Sequence, residues 1–335
     1  MRRLLLTLLF YALLENLHAQ SVTAARKFLK SQETIAQNEI RKLAGIHSQF
    51  FGPEGRLPSS ALSGFRKEIQ KILPDGKDEI PGDYLKLRAA YAAFFHALNQ
   101  HAAFLETSRE ISSPDSLIKT KDRILHSGNH VMEKASGIGK EASTFCILFR
   151  LDHPEDKTLI PGLINEEFNH LQHLFNIQQI LYPVEEMEKA CLRGYHPDSA
   201  HPPGRKSTEL IQLINHQTGE LKKLPACYGD HELKAAALNS LHFFSLEARN
   251  DLPGLEKFRE SELEFIRLHP QVKDSETPDM ESDKEYREAV KKYNEDIRAA
   301  SELVRKLEKE REAHLQVYRQ AQINFLNKRL TAFPE

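Results

Sequence analysis

The stretch "KEYREAVKKYNEDIRAASELVRKL", residues 284–307, decides the fold class. Tyr286, Val290, Tyr293, Ile297, Ala300, Val304 and Leu307 recur in alternating steps of four and three, the spacing that lays a seam along one face of an α-helix. The pattern predicts a coiled-coil-like helix over 284–330, about 70 Å long at 1.5 Å per residue. After Leu307 the register meets Arg311 and His314 and resumes at Leu315, Tyr318 and Phe325, as a stutter would. A seam of this length needs a cover. The candidates are a second copy of the chain, a helix of a partner protein, or a fold-back within the chain onto the first helix or onto 233–268 as an antiparallel hairpin.

Upstream, "PQVKDSETPDMESD" is acidic, proline-bearing and poor in apolar residues, which predicts a linker over 271–283. Before it, apolar residues keep the helical period through most of 20–270. Val22, Ala25, Leu29, Ala36, Leu43 and Phe50 mark a first helix. Phe65, Ile69 and Leu73 mark a short second one. Tyr84, Leu87, Tyr91, Phe94, Leu98 and Leu105 form an aromatic core stripe on a third. A fourth helix runs toward Phe149, capped by Ser113 or Asp115, with a break expected at "SGIGK". The phosphate-loop reading of those glycines fails, because Lys134 and Glu141 stand where Gly and Ser or Thr are required. A fifth helix opens at Pro161 and meets Pro183. Breakers then crowd 192–205, and "ELIQLINHQTGELKKLPACY" suggests two strands around Thr218-Gly219, a β-hairpin inserted at about 192–230. The fold class is therefore all-α in the main, a multi-helix bundle carrying that insertion.

The amino terminus, "MRRLLLTLLFYALLENLHAQ", has two arginines and an apolar run from Leu4 to Leu14, too short to span a bilayer. It predicts a signal peptide over 1–19 and a secreted or periplasmic mature chain starting near Gln20; the competing reading is a buried terminal helix. In an oxidising compartment Cys191 and Cys227, flanking a segment with little apolar content, are expected to pair, while Cys146 in "STFCILF" packs as a small apolar side chain.

The 335 residues carry 46 basic and 48 acidic side chains, a formal net charge of -2, so no overall field would recruit nucleic acid. The sharpest chemical pattern is "NEEFNHLQHLF", residues 165–175. At 100° per residue His170 and His173 lie within about 40° of Glu166, a ligand set suited to zinc or iron. Phe168, Leu171 and Phe175 lie opposite, however, which makes the His face the solvated one. His126 with His130, and His96 with His101, are also expected on polar helix surface. No nucleotide, hydrolase or zincin motif is present. The sequence thus points to an exported, non-enzymatic binding or scaffolding protein acting through the seam of Tyr286, Val290, Tyr293, Ile297, Val304 and Leu307, without cofactor. A metal-binding bundle or metal-dependent enzyme built on Glu166, His170 and His173 is the alternative.

Overall fold

The computed structural model describes residues 2–53, 59–73, 81–108, 114–152, 160–194, 206–227, 230–273 and 280–331. Its helices are α1 (Arg2–Phe51), α2 (Ser59–Ile72), α3 (Leu85–Thr107), α4 (Pro114–Phe149), α5 (Ile160–Gly194), α6 (Lys206–Lys223), α7 (Glu232–Leu246), α8 (Leu252–Lys273) and α9 (Met280–Thr331). A π-helical turn, Glu247–Asp251, joins α7 to α8 without a loop. Among the described residues no strand forms, and the only β-type pairing is an isolated bridge between Cys227 and Asp230. No described helix is long and apolar enough to cross a membrane.

The chain folds as two compact units, 1–175 with 326–335, and 176–325, the division falling inside α5 and α9. In the first unit α3 packs against α2 and α4. The expected α3 stripe is its core: Tyr84, Leu87, Tyr91, Phe94, Leu98 and Leu105 are all buried. Tyr84 meets Phe28, Phe145 and Phe149 edge-on at 4.9, 5.1 and 5.3 Å between ring centres, the geometry aromatic quadrupoles favour.

Two local expectations are corrected. Helix α4 runs unbroken through "SGIGK", where the bare Cα of Gly139 admits a close neighbour: a Cβ there would stand 3.0 Å from the Pro161 ring. It ends instead at Arg150, whose positive φ of 52° lets Leu151 N–H reach the Cys146 carbonyl. The hairpin at 192–230 is not formed either. Ser207, Leu210, Ile214 and Leu221, at steps of three, four and seven, give 206–223 a buried helical face in α6 that overrides the Thr218-Gly219 turn signal. Residues 195–205 lie outside the described ones. Gly219 sits inside α6 with nothing within 4 Å of the position a Cβ would take. Gly219→Ala should therefore raise stability by about 0.5–1 kcal/mol in urea melts, since alanine restricts the unfolded chain without meeting a neighbour.

The Cys191–Cys227 disulfide is likewise absent. Cys191 occupies one position of the α5 stripe Ile177, Leu181, Val184, Glu188, Cys191 and is fully buried there as a small apolar side chain, while Cys227 lies half-buried in the turn after α6. With its buried face, 206–223 is held by packing.

In the second unit α8 and α9 lie antiparallel. Going up α8, Asp251 meets Lys306 at 3.4 Å, Gly254 faces Leu303, Phe258 stacks on Tyr293 at 6.2 Å, and Phe265 stacks on Tyr293 and Tyr286 at 4.7 and 6.1 Å. The cover of this part of the seam is thus α8. The segment expected as a linker is shorter than 271–283, since α8 reaches Lys273 and α9 begins at Met280; residues 274–279 lie outside the described ones.

Candidate functional site

The helix that carries "NEEFNHLQHLF" is buried almost all round in the first unit, so its His face is not solvated. His170 and His173 are 8% and 7% exposed, on the same stretch as buried Leu163, Ile164, Phe168, Leu171, Leu174 and Phe175. Glu166 is half-buried, and its backbone carbonyl lies 3.1 Å from His170 Nδ1. These three do not assemble a metal site: among the described residues no group of three or more His, Cys, Asp or Glu side chains is arranged to hold an ion.

The polar chemistry of this unit begins one residue later. Glu167, 3% exposed, places Oε1 2.7 Å from Nδ1 of His47 on α1. The other nitrogen of His47, Nε2, lies 3.1 Å from Nε2 of His101 on α3. His101 Nδ1 in turn lies 2.6 Å from the hydroxyl of Ser127 on α4, which is also 2.8 Å from the Ile124 carbonyl. Four helices each contribute one side chain to a continuous hydrogen-bonded chain, Glu167–His47–His101–Ser127. His47 and His101 are 0% and 1% exposed, whereas Ser127 is half-buried and forms the outer end. His101 is therefore core, contrary to the surface expectation, while His96, His126 and His130 are exposed as expected.

Local packing explains why the two imidazoles are buried. The Phe168 ring lies 5.7 Å from the His47 ring and 5.2 Å from that of His101, and Phe51 closes on His47 at 5.7 Å. Phe168 reaches this place because α4 has no side chain at Gly128, where a Cβ would stand 2.3 Å from the ring. Burial, reinforced by the neighbouring His47, pushes His101 well below the ordinary imidazole range, so it is neutral at physiological pH. Gly128→Ala should force the Phe168 ring aside, costing about 1–3 kcal/mol by overpacking and disturbing the imidazole signals of both histidines in NMR spectra. Unchanged stability and spectra would show that the ring is not confined.

A second buried polar cluster lies in the other unit. Glu188 of α5 and Glu247 of the π turn are 0% and 1% exposed, and Arg311 of α9 donates from Nη1 to both Glu188 oxygens at 2.9 and 3.1 Å. As a carboxylate Glu247 would have two buried oxygens and no donor; as a carboxylic acid it donates to Glu188. Burial and the adjacent Glu188 charge accordingly push its pKa up to about 9.

Of the expected seam, Leu307 is buried, whereas Tyr286, Val290, Tyr293, Ile297 and Val304 are only half-buried, although α8 packs alongside. On α8 itself Leu263 and Ile266, one turn apart, are 50% and 55% exposed.

His47, Glu167, Glu188 and Glu247 went unmarked as site residues in the sequence, and His101 was placed on the surface, but each left a signal. Each occupies a core register position of an apolar stripe: Ile40, Leu43, His47 on α1 and Phe94, Leu98, His101, Leu105 on α3 show it plainly. A search for motifs overlooks a polar residue that keeps apolar time. Compared with protein-family models, with curated proteins and with solved structures, the chain finds no match.

Proposed function

We propose that the protein is an exported helical binding protein that uses the outer part of the α8–α9 pair to engage a helix, from a partner protein or from a second copy. The observation that carries this reading is the incomplete cover of the seam: five of its residues are only half-buried, and on α8 Leu263 and Ile266 stand exposed. A pair of helices leaves the flanks of its seam open to solvent, and a third or fourth helix can cover them. Export rests on the Arg2-Arg3 and Leu4–Leu14 pattern.

Protein recovered from the exported fraction should start near Gln20 by intact mass. It should also run as a dimer or a complex, and a photo-cross-linker placed at position 263 should capture the neighbour. Leu263→Asp with Ile266→Asp should abolish association at unchanged melting temperature, because both side chains are exposed. Ile297→Asp with Val304→Asp should instead lower the melting temperature, since both side chains are half-buried in the seam. A monomeric chain giving no cross-link would sink the binding role.

A further inference from the structure

The Glu167–His47–His101–Ser127 chain has two self-consistent proton arrangements, and they differ by one proton. In the first, Ser127 donates to His101 Nδ1, His101 Nε2–H donates to His47 Nε2, and His47 Nδ1–H donates to the Glu167 carboxylate; every contact at 2.6, 3.1 and 2.7 Å has one donor and one acceptor. In the second, Ser127 donates to the Ile124 carbonyl, all donors inside the chain are reversed, and one extra proton is held between His47 and Glu167. Passing the serine proton along the first arrangement reproduces the imidazole and carboxylate protons of the second, with the Ser127 oxygen left as the alkoxide that attacks; the second arrangement itself holds one proton more.

We infer that Ser127 is an activated nucleophile toward acyl and phosphonyl electrophiles, with His101 as its base and His47 and Glu167 as positioning residues. A nucleophile within hydrogen-bond reach of a base that a third group orients is the general signature of such a site. Two imidazoles in series serve a specific purpose here. His101 is too deeply buried to carry a charge, and it never has to. As Nδ1 takes the serine proton, Nε2 passes its own to His47, so the positive charge arises beside the Glu167 carboxylate, the one place in the chain where it is neutralised. Ser127 is the only member of the chain that is not fully buried, which is where an electrophile must arrive.

With a dialkyl phosphorofluoridate the step balances. The Oγ–P bond forms, the P–F bond breaks, fluoride leaves, and the serine proton remains on the His47–Glu167 pair until solvent removes it. The titratable groups brought to Ser127 are His101 from α3, His47 from α1 and Glu167 from α5; His126 and His130 of α4 itself are exposed.

The test treats the folded full chain with excess phosphorofluoridate and follows intact mass and peptide maps. One adduct per chain should appear on Ser127. Its rate should rise with pH and level off once the extra proton is lost, as a base-assisted hydroxyl does, and Glu167→Gln should slow it by about 10- to 100-fold at unchanged melting temperature. Ser127→Ala should take no adduct, and Ser127→Cys should shift reactivity to a thiol-directed alkylating agent. Absence of an adduct on Ser127 in the folded chain overturns the inference. So does a log rate climbing with unit slope across the whole pH range, or an equal rate in Glu167→Gln. Should Glu167→Gln fail to fold, the wild-type adduct and pH profile decide alone. These results are independent of association through α8 and α9, so failure of one proposal leaves the other standing.

Discussion

Replacement of Arg311 by leucine should destabilise the protein by about 3–5 kcal/mol, the usual cost of leaving a buried charge without its partner. Glu188 is fully buried on α5, and both its oxygens accept from the Arg311 guanidinium. Leucine supplies neither charge nor donor. Glu188 must then take up a proton or draw in water, and the shared proton of Glu247 has no anion to serve. Urea melts at pH 7 measure the loss. The double variant Arg311→Leu with Glu188→Leu should recover most of it, because a buried ion pair contributes little net stability and removing both charges ends the mismatch. A single variant with wild-type stability would mean that Glu188 is not held by Arg311.

The second large effect has the opposite sign. Glu247→Gln should stabilise the protein, increasingly so as the pH rises. The folded pKa of Glu247 is pushed up to about 9 from an ordinary value of 4.5. A group shifted upward favours the folded state fully below its unfolded pKa, and that contribution is lost as pH rises toward the folded value. Between these limits the folded protein pays for a proton that the unfolded chain has released, at no more than ~1.4 kcal/mol per pH unit. Glutamine donates to Glu188 without needing that proton, so at pH 8 the variant should be more stable by on the order of 2–4 kcal/mol. At pH 4 the two proteins should be nearly equal. Melts across that range check it; a difference independent of pH would show that Glu247 is ionised in the folded chain.

These clusters also explain what the sequence could and could not tell. The helices were legible wherever apolar period was strong, as in the α3 stripe from Tyr84 to Leu105, and the antiparallel pairing of 233–268 with the last helix was among the readings of the seam. The register break at Arg311 and His314 was visible, but its cause was not. Arg311 turns to Glu188, and His314 stacks on Phe243 at 4.4 Å, so the "stutter" is where α9 meets polar and aromatic partners on other elements. The hairpin error came from weighing a local Thr-Gly turn signal above the three- and four-residue spacing of Leu210, Ile214 and Leu221, whose burial decides α6. The His face of α5 was assigned to solvent on the premise that a helix has one apolar side; between 160 and 175 this one is enclosed on nearly all of them. A chain such as Glu167–His47–His101–Ser127 joins four helices, and no spacing along one of them announces it.

The π turn at Glu247–Asp251 has a consequence for how this protein tolerates change in length. Such a turn amounts to one surplus residue carried inside a helix. Deleting a single residue from 247–251 would let α7 and α8 fuse into one regular helix, with no hydrogen bond lost. Because the wider i→i+5 turn takes up its surplus residue within a single revolution, the azimuth beyond the deletion would hardly change, and Phe258 and Phe265 would still face Tyr293 and Tyr286. One residue removed from the regular part of α8 would instead turn everything beyond it by about 100° and uncouple the aromatics from α9, so the π turn is the place where this helical run tolerates the loss of a residue.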